Sequence, residues 1–258
     1  MDRQPGRDAG CGRNPGGPTA PACVAYHERE IRPGGDQHHE ERQGVGQHRN
    51  IVDHTTTVVV HRDGRDQNHH VPTHIALLRG INVGGRNRVA MAGLREVVAS
   101  LGHTDVATYI QSGNVVFTSK EADTQVLAAA LERGIAEALG VRPRVVVLSR
   151  NELSQVIADN PYPDETNPQY LHAVFRSEDM GPEEVATVAA AVQRAREKGS
   201  RDEARVVGRT LFLRTPEGLG RSELAARLAR TGGPLASFAP ATMRNWATVS
   251  RLLALCGT

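Results

Sequence analysis

The stretch HIALLRGINVGGRNRVAM, from His74 to Met91, decides the fold, because a strand-like run enters a polar loop and then a helix. Its first part is apolar at consecutive positions, as expected of a strand buried on both faces of a sheet. The loop after Arg79 contains three glycines, two asparagines and two arginines. Glycine lets a backbone turn sharply or approach a ligand closely. The stretch therefore predicts a core strand whose carboxyl end carries a basic, glycine-rich loop.

Residues 71–150 continue this pattern and predict the element order β-α-β-β-α-β. Two runs of apolar residues at helical spacing indicate amphipathic helices, the first of which starts near Met91. Residues rich in β-formers predict strands at Val106–Gln111, Val115–Thr118 and Arg144–Ser149. This order is the split βαβ, or ferredoxin-like, arrangement.

Residues 151–258 predict a second α+β half with a less regular rhythm. Its elements include a strand at Tyr170–Phe175, a long helix from Pro182 to Lys198 and a hairpin that turns near Gly208. We expect helices rather than a fourth strand to close this half. The predicted fold class is α+β, with two α/β-sandwich subdomains of which the first is ferredoxin-like.

The final helix is predicted from an apolar stripe that runs from Met243 through Trp246 to Cys256. Thr242 is the expected N-cap, which places Arg244 in the first turn, where a cation opposes the helix dipole. Such an arginine needs a compensating anion or a packed stem, so Arg244 and Asn245 are candidate site residues.

Residues 1–70 differ in composition from the rest, with ten glycines, eight of the eleven histidines and one strand-like piece, TTTVVV at Thr55–Val60. Such a segment buries too little apolar area to offset its ordering entropy. It is a disordered tail, a metal-binding arm with His38-His39 and His69-His70, or an extension from a misplaced start codon. We expect the last, with the native start at Val71, since a GTG codon encodes valine or an initiator.

The overall composition favours a cytosolic protein. The formal net charge is +2, which implies no strong bulk attraction to nucleic acid or to an anionic membrane. No apolar run reaches the roughly 20 residues that span a bilayer, and no signal peptide is visible. The three cysteines favour reduced thiols, and Cys256 falls on an apolar stripe as a small core residue.

The candidate site follows from the predicted strand order, which brings the basic loop and the turn QSGN to the same end of the first sheet. Helix N-termini offer unpaired N–H groups, and arginines supply forked donors, so this end favours an anion. A nucleotide, a phosphate or a nucleic-acid segment is the expected ligand. The candidate residues are Arg79, Gly80, Asn82, Gly84, Gly85, Arg86, Asn87, Gln111, Ser112, Gly113, Asn114, Arg244 and Asn245.

Two other functions stay open. One is an enzyme of unknown reaction that uses Ser112 in an Asn/Arg-lined pocket, although no spacing ties a histidine to this serine. The other is a non-catalytic structural or interaction role, in which the loop locks the two halves together. Neither a Walker A string nor G-x-G-x-x-G occurs in the loop, which disfavours those nucleotide mechanisms. No catalytic residue, metal ligand, cofactor or oligomeric state is assigned.

The blocks IALLRGINVGGRNRVAMAGLREV, VATYIQSGNVVFTS, YLHAVF, LFLRTPEGLGRSEL and MRNWATVSRLLAL span most of residues 71–258. In this order they resemble the bacterial family catalogued as domain of unknown function 1697. The resemblance implies a cytosolic fold of two α+β parts, the first ferredoxin-like, with no assigned function. Members usually begin near the IALLRG strand and usually have an aromatic where this chain has His103.

Overall fold

The computed structural model describes the backbone of residues 58–60 and residues 71–85, 87–229 and 241–257. Its strands are β1 (Val58–Val60), β2 (His74–Arg79), β3 (Thr104–Tyr109), β4 (Asn114–Thr118), β5 (Arg144–Ser149), β6 (Leu171–Arg176), β7 (Glu203–Val207), β8 (Thr210–Arg214) and β9 (Ala241–Asn245). Its α-helices are α1 (Met91–Ser100), α2 (Thr124–Leu139), α3 (Arg150–Ala158), α4 (Pro182–Glu197), α5 (Glu223–Ala229) and α6 (Trp246–Leu255).

The first sheet has the order β1-β3-β4-β2-β5, and every neighbouring pair in it is antiparallel. From β2 to β5 the chain has the predicted order β-α-β-β-α-β. One face of the sheet carries α1 and α2, because alternate strand residues such as Leu78 and Phe117 pack against Leu94 and Leu131. These residues are almost completely buried, so this face forms a core of its own.

The strand β1 is the end of the strand-like piece in residues 1–70, and it pairs with β3 from Val58↔Tyr109 to Val60↔Ala107. The rest of that segment, with its paired histidines, lies outside the described residues. The origin of residues 1–70 stays a prediction.

The second sheet has the order β7-β8-β6-β9 and is also antiparallel throughout. The α+β class is therefore confirmed, but the expectation that helices close the second half is wrong. Ala241–Asn245 forms a fourth strand against β6, with the register Phe175↔Thr242. The apolar residues at helical spacing continue into this segment, which predicts a helix. Hydrogen bonds to the otherwise unpaired edge of β6 outweigh this helical propensity.

The last helix consequently begins at Trp246, and Asn245 is its N-cap. The Oδ1 atom of Asn245 accepts a hydrogen bond of 2.9 Å from the backbone N–H of Thr248. The prediction that Thr242 caps this helix and that Arg244 lies in its first turn is therefore wrong. Both residues lie in β9, where side chains alternate between the two faces of a sheet.

A third core joins the two sheets. Ile75 and Leu77 on the second face of β2 pack in the same cluster as Ala173 and Phe175 of β6. The helices α3 and α6 contribute to this cluster, and Cys256 of the α6 C-cap is completely buried in it. Burial raises the pKa of the Cys256 thiol to about 12, so it stays protonated as a small core residue. The domain boundary predicted at residue 150 stays a prediction.

One buried titratable side chain stands out in the second sheet. His172 of β6 is 6% exposed, and its Nδ1 atom has no hydrogen-bond partner among the described residues. Because burial penalises the charged imidazolium, the pKa of His172 is lowered from 6.5 to about 4. The folded protein therefore holds this side chain neutral.

None of the helices within the described ranges combines the length and the apolar character needed to cross a membrane.

Candidate functional site

The structure brings the basic loop and the β3–β4 turn together at one end of the first sheet. The Nδ2 atom of Asn82 donates a hydrogen bond of 3.0 Å to the carbonyl of Gln111. The backbone N–H of Leu78 donates to the carbonyl of Gly113 over 2.8 Å. These two bonds fasten the end of β2 and the loop after it to the turn.

Two asparagines hold the loop in shape. Asn82 and Asn87 both have a positive φ, 54° and 48°, a conformation that asparagine tolerates better than most residues. The side chain of Asn82 donates to the carbonyl of Val89 and accepts from its N–H, while Asn87 Nδ2 donates to the carbonyl of Gly80 at 2.8 Å. The amide groups of both predicted ligands are thus used within the loop.

The β3–β4 turn is tightly constrained. Gly113 has φ +77°, and a Cβ atom at this position would lie 2.8 Å from Cβ of Leu78. Ile110 has φ 49°, which is unfavourable for a β-branched side chain and ends β3 two residues before the predicted end at Gln111. The position after Tyr109 therefore turns the chain instead of extending the strand.

Asn114 is completely buried at the start of β4. Its Nδ2 atom donates to the carbonyl of Tyr109 at 3.1 Å and to Oγ of Ser112 at 2.9 Å. Its Oδ1 atom accepts a hydrogen bond of 2.5 Å from Nε of Arg244. Both polar atoms of the Asn114 side chain are therefore hydrogen-bonded within the protein.

Arg244 spans from β9 to the first sheet. Its Nη2 atom donates to the carbonyls of Leu78 at 2.9 Å, Ser112 at 3.2 Å and Gly113 at 3.2 Å. Its Nη1 atom donates to Oγ1 of Thr242 at 2.6 Å and to the carbonyl of Met243 at 2.8 Å. Backbone carbonyl groups at strand ends that are buried away from water need hydrogen-bond donors of this kind.

Four further candidates differ in their surroundings. Arg79 is exposed and donates through Nη1 to the carbonyl of Ala241 over 3.3 Å, which is a second link to β9. Gly84 and Gly85 both have positive φ angles and nothing within 4 Å of an added Cβ atom, so they border open space. Arg86 lies outside the described residues.

A hollow of about 700 Å³ lies beside the loop. It is lined by Asn82, Gly85, Arg88, Val89, Ala90 and Gln111. Arg88 is exposed and has no hydrogen-bond or ion-pair partner among the described residues. Of the predicted site, Asn82, Gly85 and Gln111 thus face one hollow.

The N-terminus of α1 opens into this hollow. Its N-cap position, Ala90, provides no capping side chain, and the first turn contains no acidic residue. The first hydrogen bond within the helix runs from the N–H of Leu94 to the carbonyl of Ala90, so the N–H groups of residues 91–93 precede it. The sequence placed the helix start near Ala90 at this end of the sheet and counted Arg88 among its possible donors, but neither was in the list of candidate residues; the absence of a capping residue before Met91 is the signal that favours them.

Ser112 is exposed, and its Oγ atom accepts the hydrogen bond from Asn114. Within the described ranges, neither a histidine nor a carboxylate forms a hydrogen bond with this hydroxyl. A serine nucleophile requires an adjacent base. The Ser112 enzyme hypothesis therefore gains no support from the geometry and stays a prediction.

Among the residues whose burial the structure describes, the faces of the first sheet present no exposed aromatic side chain for stacking bases. RNA-binding proteins of similar strand order stack bases on exposed aromatic residues of the sheet. Here Phe117 is completely buried beneath α1 and α2, and Tyr109 packs into the core shared with the second sheet. A nucleic acid would have to contact the end of this sheet instead of its faces.

Comparisons with known proteins give a family and a fold. A model of a family described as a protein of unknown function, DUF1697, matches residues 71–212. A solved structure of a conserved bacterial protein from Streptococcus pneumoniae is similar, with a TM-score of 0.56 and 22% sequence identity. The similarity covers 72% of this chain and 98% of that chain, and at this identity it shows the fold alone. No curated protein matches the chain.

Proposed function

The chain belongs to the DUF1697 family of proteins of unknown function, and we propose that it binds a compact anion, the phosphate group of a small molecule, in the hollow beside α1. The observation that carries this proposal is the pairing of an uncapped helix N-terminus with the unpartnered arginine Arg88 at one opening. Unpaired N–H groups and the positive end of the helix dipole both attract an anion.

The helix terminus of α1 differs from the others in the described part of the chain. A side chain caps α2, α3, α5 and α6, through Asp123, Ser149, Ser222 and Asn245. The first turn of α4 contains two acidic residues. Only α1 has neither a capping side chain nor an acid in its first turn, so its N–H groups are left to water or to a ligand.

The residues around these N–H groups suit a phosphate. Ala90 and Gly85, which both line the hollow, are small, so a ligand can approach the backbone closely. Arg88 would supply a forked donor to two phosphate oxygens, and the amide of Gln111 would supply a further N–H. Asn82 would hold the loop in place without contacting the ligand, because its amide is already bonded.

Isothermal titration of the full chain with inorganic phosphate and with a nucleoside monophosphate tests this proposal. The variant Arg88→Gln should weaken binding by about tenfold or more, because one charge-assisted hydrogen bond contributes roughly 1.5–3 kcal/mol. The matched control is Arg251→Gln, which removes another exposed arginine, on α6. Equal affinities in all three proteins, or no binding to the wild type, would contradict the proposal.

A second candidate function is structural, and a different observation favours it. Four of the predicted ligands, Asn82, Asn87, Asn114 and Arg244, use their polar atoms inside the protein to bind backbone groups of neighbouring segments. In this case the loop fastens the two halves together and has no ligand. The same titration distinguishes the two candidates, because the structural role predicts no heat of binding.

A further inference from the structure

Two arginines face each other at the same end of the first sheet. Arg79 at the end of β2 lies directly opposite Arg144 at the start of β5, and both are exposed. Like charges directly opposite each other on neighbouring strands destabilise a sheet. Within the described residues, one carboxylate pairs with these two arginines: Glu132 Oε2 lies 3.5 Å from Arg144 Nη1. An excess of positive charge therefore remains at this sheet end.

Two more arginines extend this charge. Arg133 of α2 and Arg142, just before β5, line a hollow of about 430 Å³ together with Arg144. Arg133 and Arg142 are exposed and have no hydrogen-bond or ion-pair partner among the described residues. Arg133, Arg142 and Arg144 form what we call the arginine surface. Arg79 lies on the face of β2 that is turned towards the second sheet and is not part of it. The arginine surface is separate from the hollow beside α1, whose lining residues are different.

We propose that the arginine surface binds the sugar–phosphate backbone of a nucleic acid. Guanidinium groups match phosphate oxygens through paired donors, and these three arginines are spread over a helix, a connecting loop and a strand start. A surface of this kind contacts several phosphates in succession instead of one. The proposal does not depend on the ligand of the α1 hollow.

The composition of the surface favours a nucleic acid over an acidic protein. The centre of a protein–protein interface is depleted in charged residues and enriched in aromatic ones. The residues lining the hollow at Arg142 include no aromatic side chain, and arginines are the most numerous type among them. Because Phe117 and Tyr109, the aromatic residues of the described part of the sheet, pack into its two cores, bases find no stacking platform there, so binding is independent of sequence and is governed by salt.

Fluorescence anisotropy of the full chain with a labelled single-stranded oligonucleotide and with its duplex, over a range of salt concentrations, tests this proposal. The double variant Arg133→Gln with Arg142→Gln should weaken binding to every sequence alike and lower the salt slope by about two. The matched control is Arg194→Gln with Arg196→Gln, which removes two exposed arginines from α4. This control should bind as the wild type does, and the two oligonucleotide forms show which one the surface accepts.

Three results would overturn the proposal: no binding of either form at low salt, equal losses in the two double variants, or tighter binding of a polyglutamate peptide. The last result would point to an acidic protein partner. Phosphate titration of the Arg133/Arg142 double variant distinguishes the arginine surface from the phosphate site in the hollow beside α1. It should match the wild type, because the α1 hollow contains neither residue.

Discussion

Arg244 donates a hydrogen bond of 2.5 Å from Nε to Oδ1 of Asn114, which joins the last strand to the first sheet across 130 positions of the chain. The Nη2 atom of Arg244 extends this link to carbonyls at the end of β2 and in the β3–β4 turn. One side chain thus fixes the turn that carries Gln111, and Gln111 in turn accepts the bond that holds Asn82. The candidate site therefore depends on a residue in the other half of the chain.

Arg244→Ala should lower the free energy of unfolding by about 3 kcal/mol or more, because it leaves buried acceptors without donors at roughly 1–3 kcal/mol each. Arg244→Lys should recover only part of the lost stability, because an ammonium group reaches fewer acceptors at once than a guanidinium group does. Urea unfolding measures both. Arg251→Ala, which removes an exposed arginine of α6, is the control and should change stability little. A loss in Arg244→Ala no larger than in the control would contradict the role of Arg244 as a link.

Gly113→Ala should destabilise the protein by about 2–4 kcal/mol, because the position has φ +77° and the added methyl group would lie 2.8 Å from Cβ of Leu78. Gly84→Ala is the matched comparison. It also has a positive φ, +58°, but nothing lies within 4 Å of the added atom, so about 1 kcal/mol is expected. Equal shifts of the two urea midpoints would show that the turn can relax around the methyl group.

Ile110→Asn should stabilise the protein by roughly 0.5–1 kcal/mol. The isoleucine is β-branched, 40% exposed and held at φ 49°, so its removal loses little packing and relieves backbone strain. Asparagine adopts this conformation more readily. Thermal unfolding of the two proteins measures the difference, and a lower midpoint in Ile110→Asn would mean that the isoleucine makes a needed contact.

The pH dependence of stability should contain a contribution from His172. Its pKa is about 4 in the folded protein and 6.5 when unfolded, so the unfolded chain binds the extra proton first as the pH falls. This contribution is complete above pH 6.5 and is lost as the pH falls towards 4, by an amount on the order of 3 kcal/mol. Urea unfolding between these pH values should show a shallower slope for His172→Leu than for the wild type. His103→Gln is the comparison: burial lowers the pKa of His103 as well, but His103 is less buried, so its removal should change the slope less. An unchanged slope in His172→Leu would mean that His172 does not titrate in this way.

The sequence predicted the first half of the fold well, because its strands and helices carry clear periodicities and a glycine stops each helix. It did not predict β9. The residues from Ala241 to Asn245 continue the apolar spacing of the helix after them, and only the unpaired edge of β6 makes them a strand. A partner strand whose paired residues lie 65 to 73 positions away leaves no local signal.

The meeting of the basic loop and the β3–β4 turn was predicted, but the use of their side chains was not. The loop and the turn do meet, since strand order alone determines which ends lie together. Asparagine and arginine side chains, however, can bind a small molecule or donate hydrogen bonds to backbone carbonyls equally well. The carbonyls that Arg244 binds come from segments distant in the sequence. Composition could not reveal that Asn114 and Arg244 bind each other, nor that Arg88 remains without a partner.

The most direct measurement of the central claim is a phosphate titration of the isotope-labelled chain, followed by the NMR shifts of its backbone amides. If a phosphate binds in the hollow beside α1, the amides of Met91, Ala92 and Gly93 should shift in a saturable way, and Arg88→Gln should move the midpoint to higher phosphate concentration. Amides in the second sheet, such as that of Val206, serve as the internal reference and should stay unchanged. Shifts spread evenly over the protein, or none at these three amides, would contradict the account.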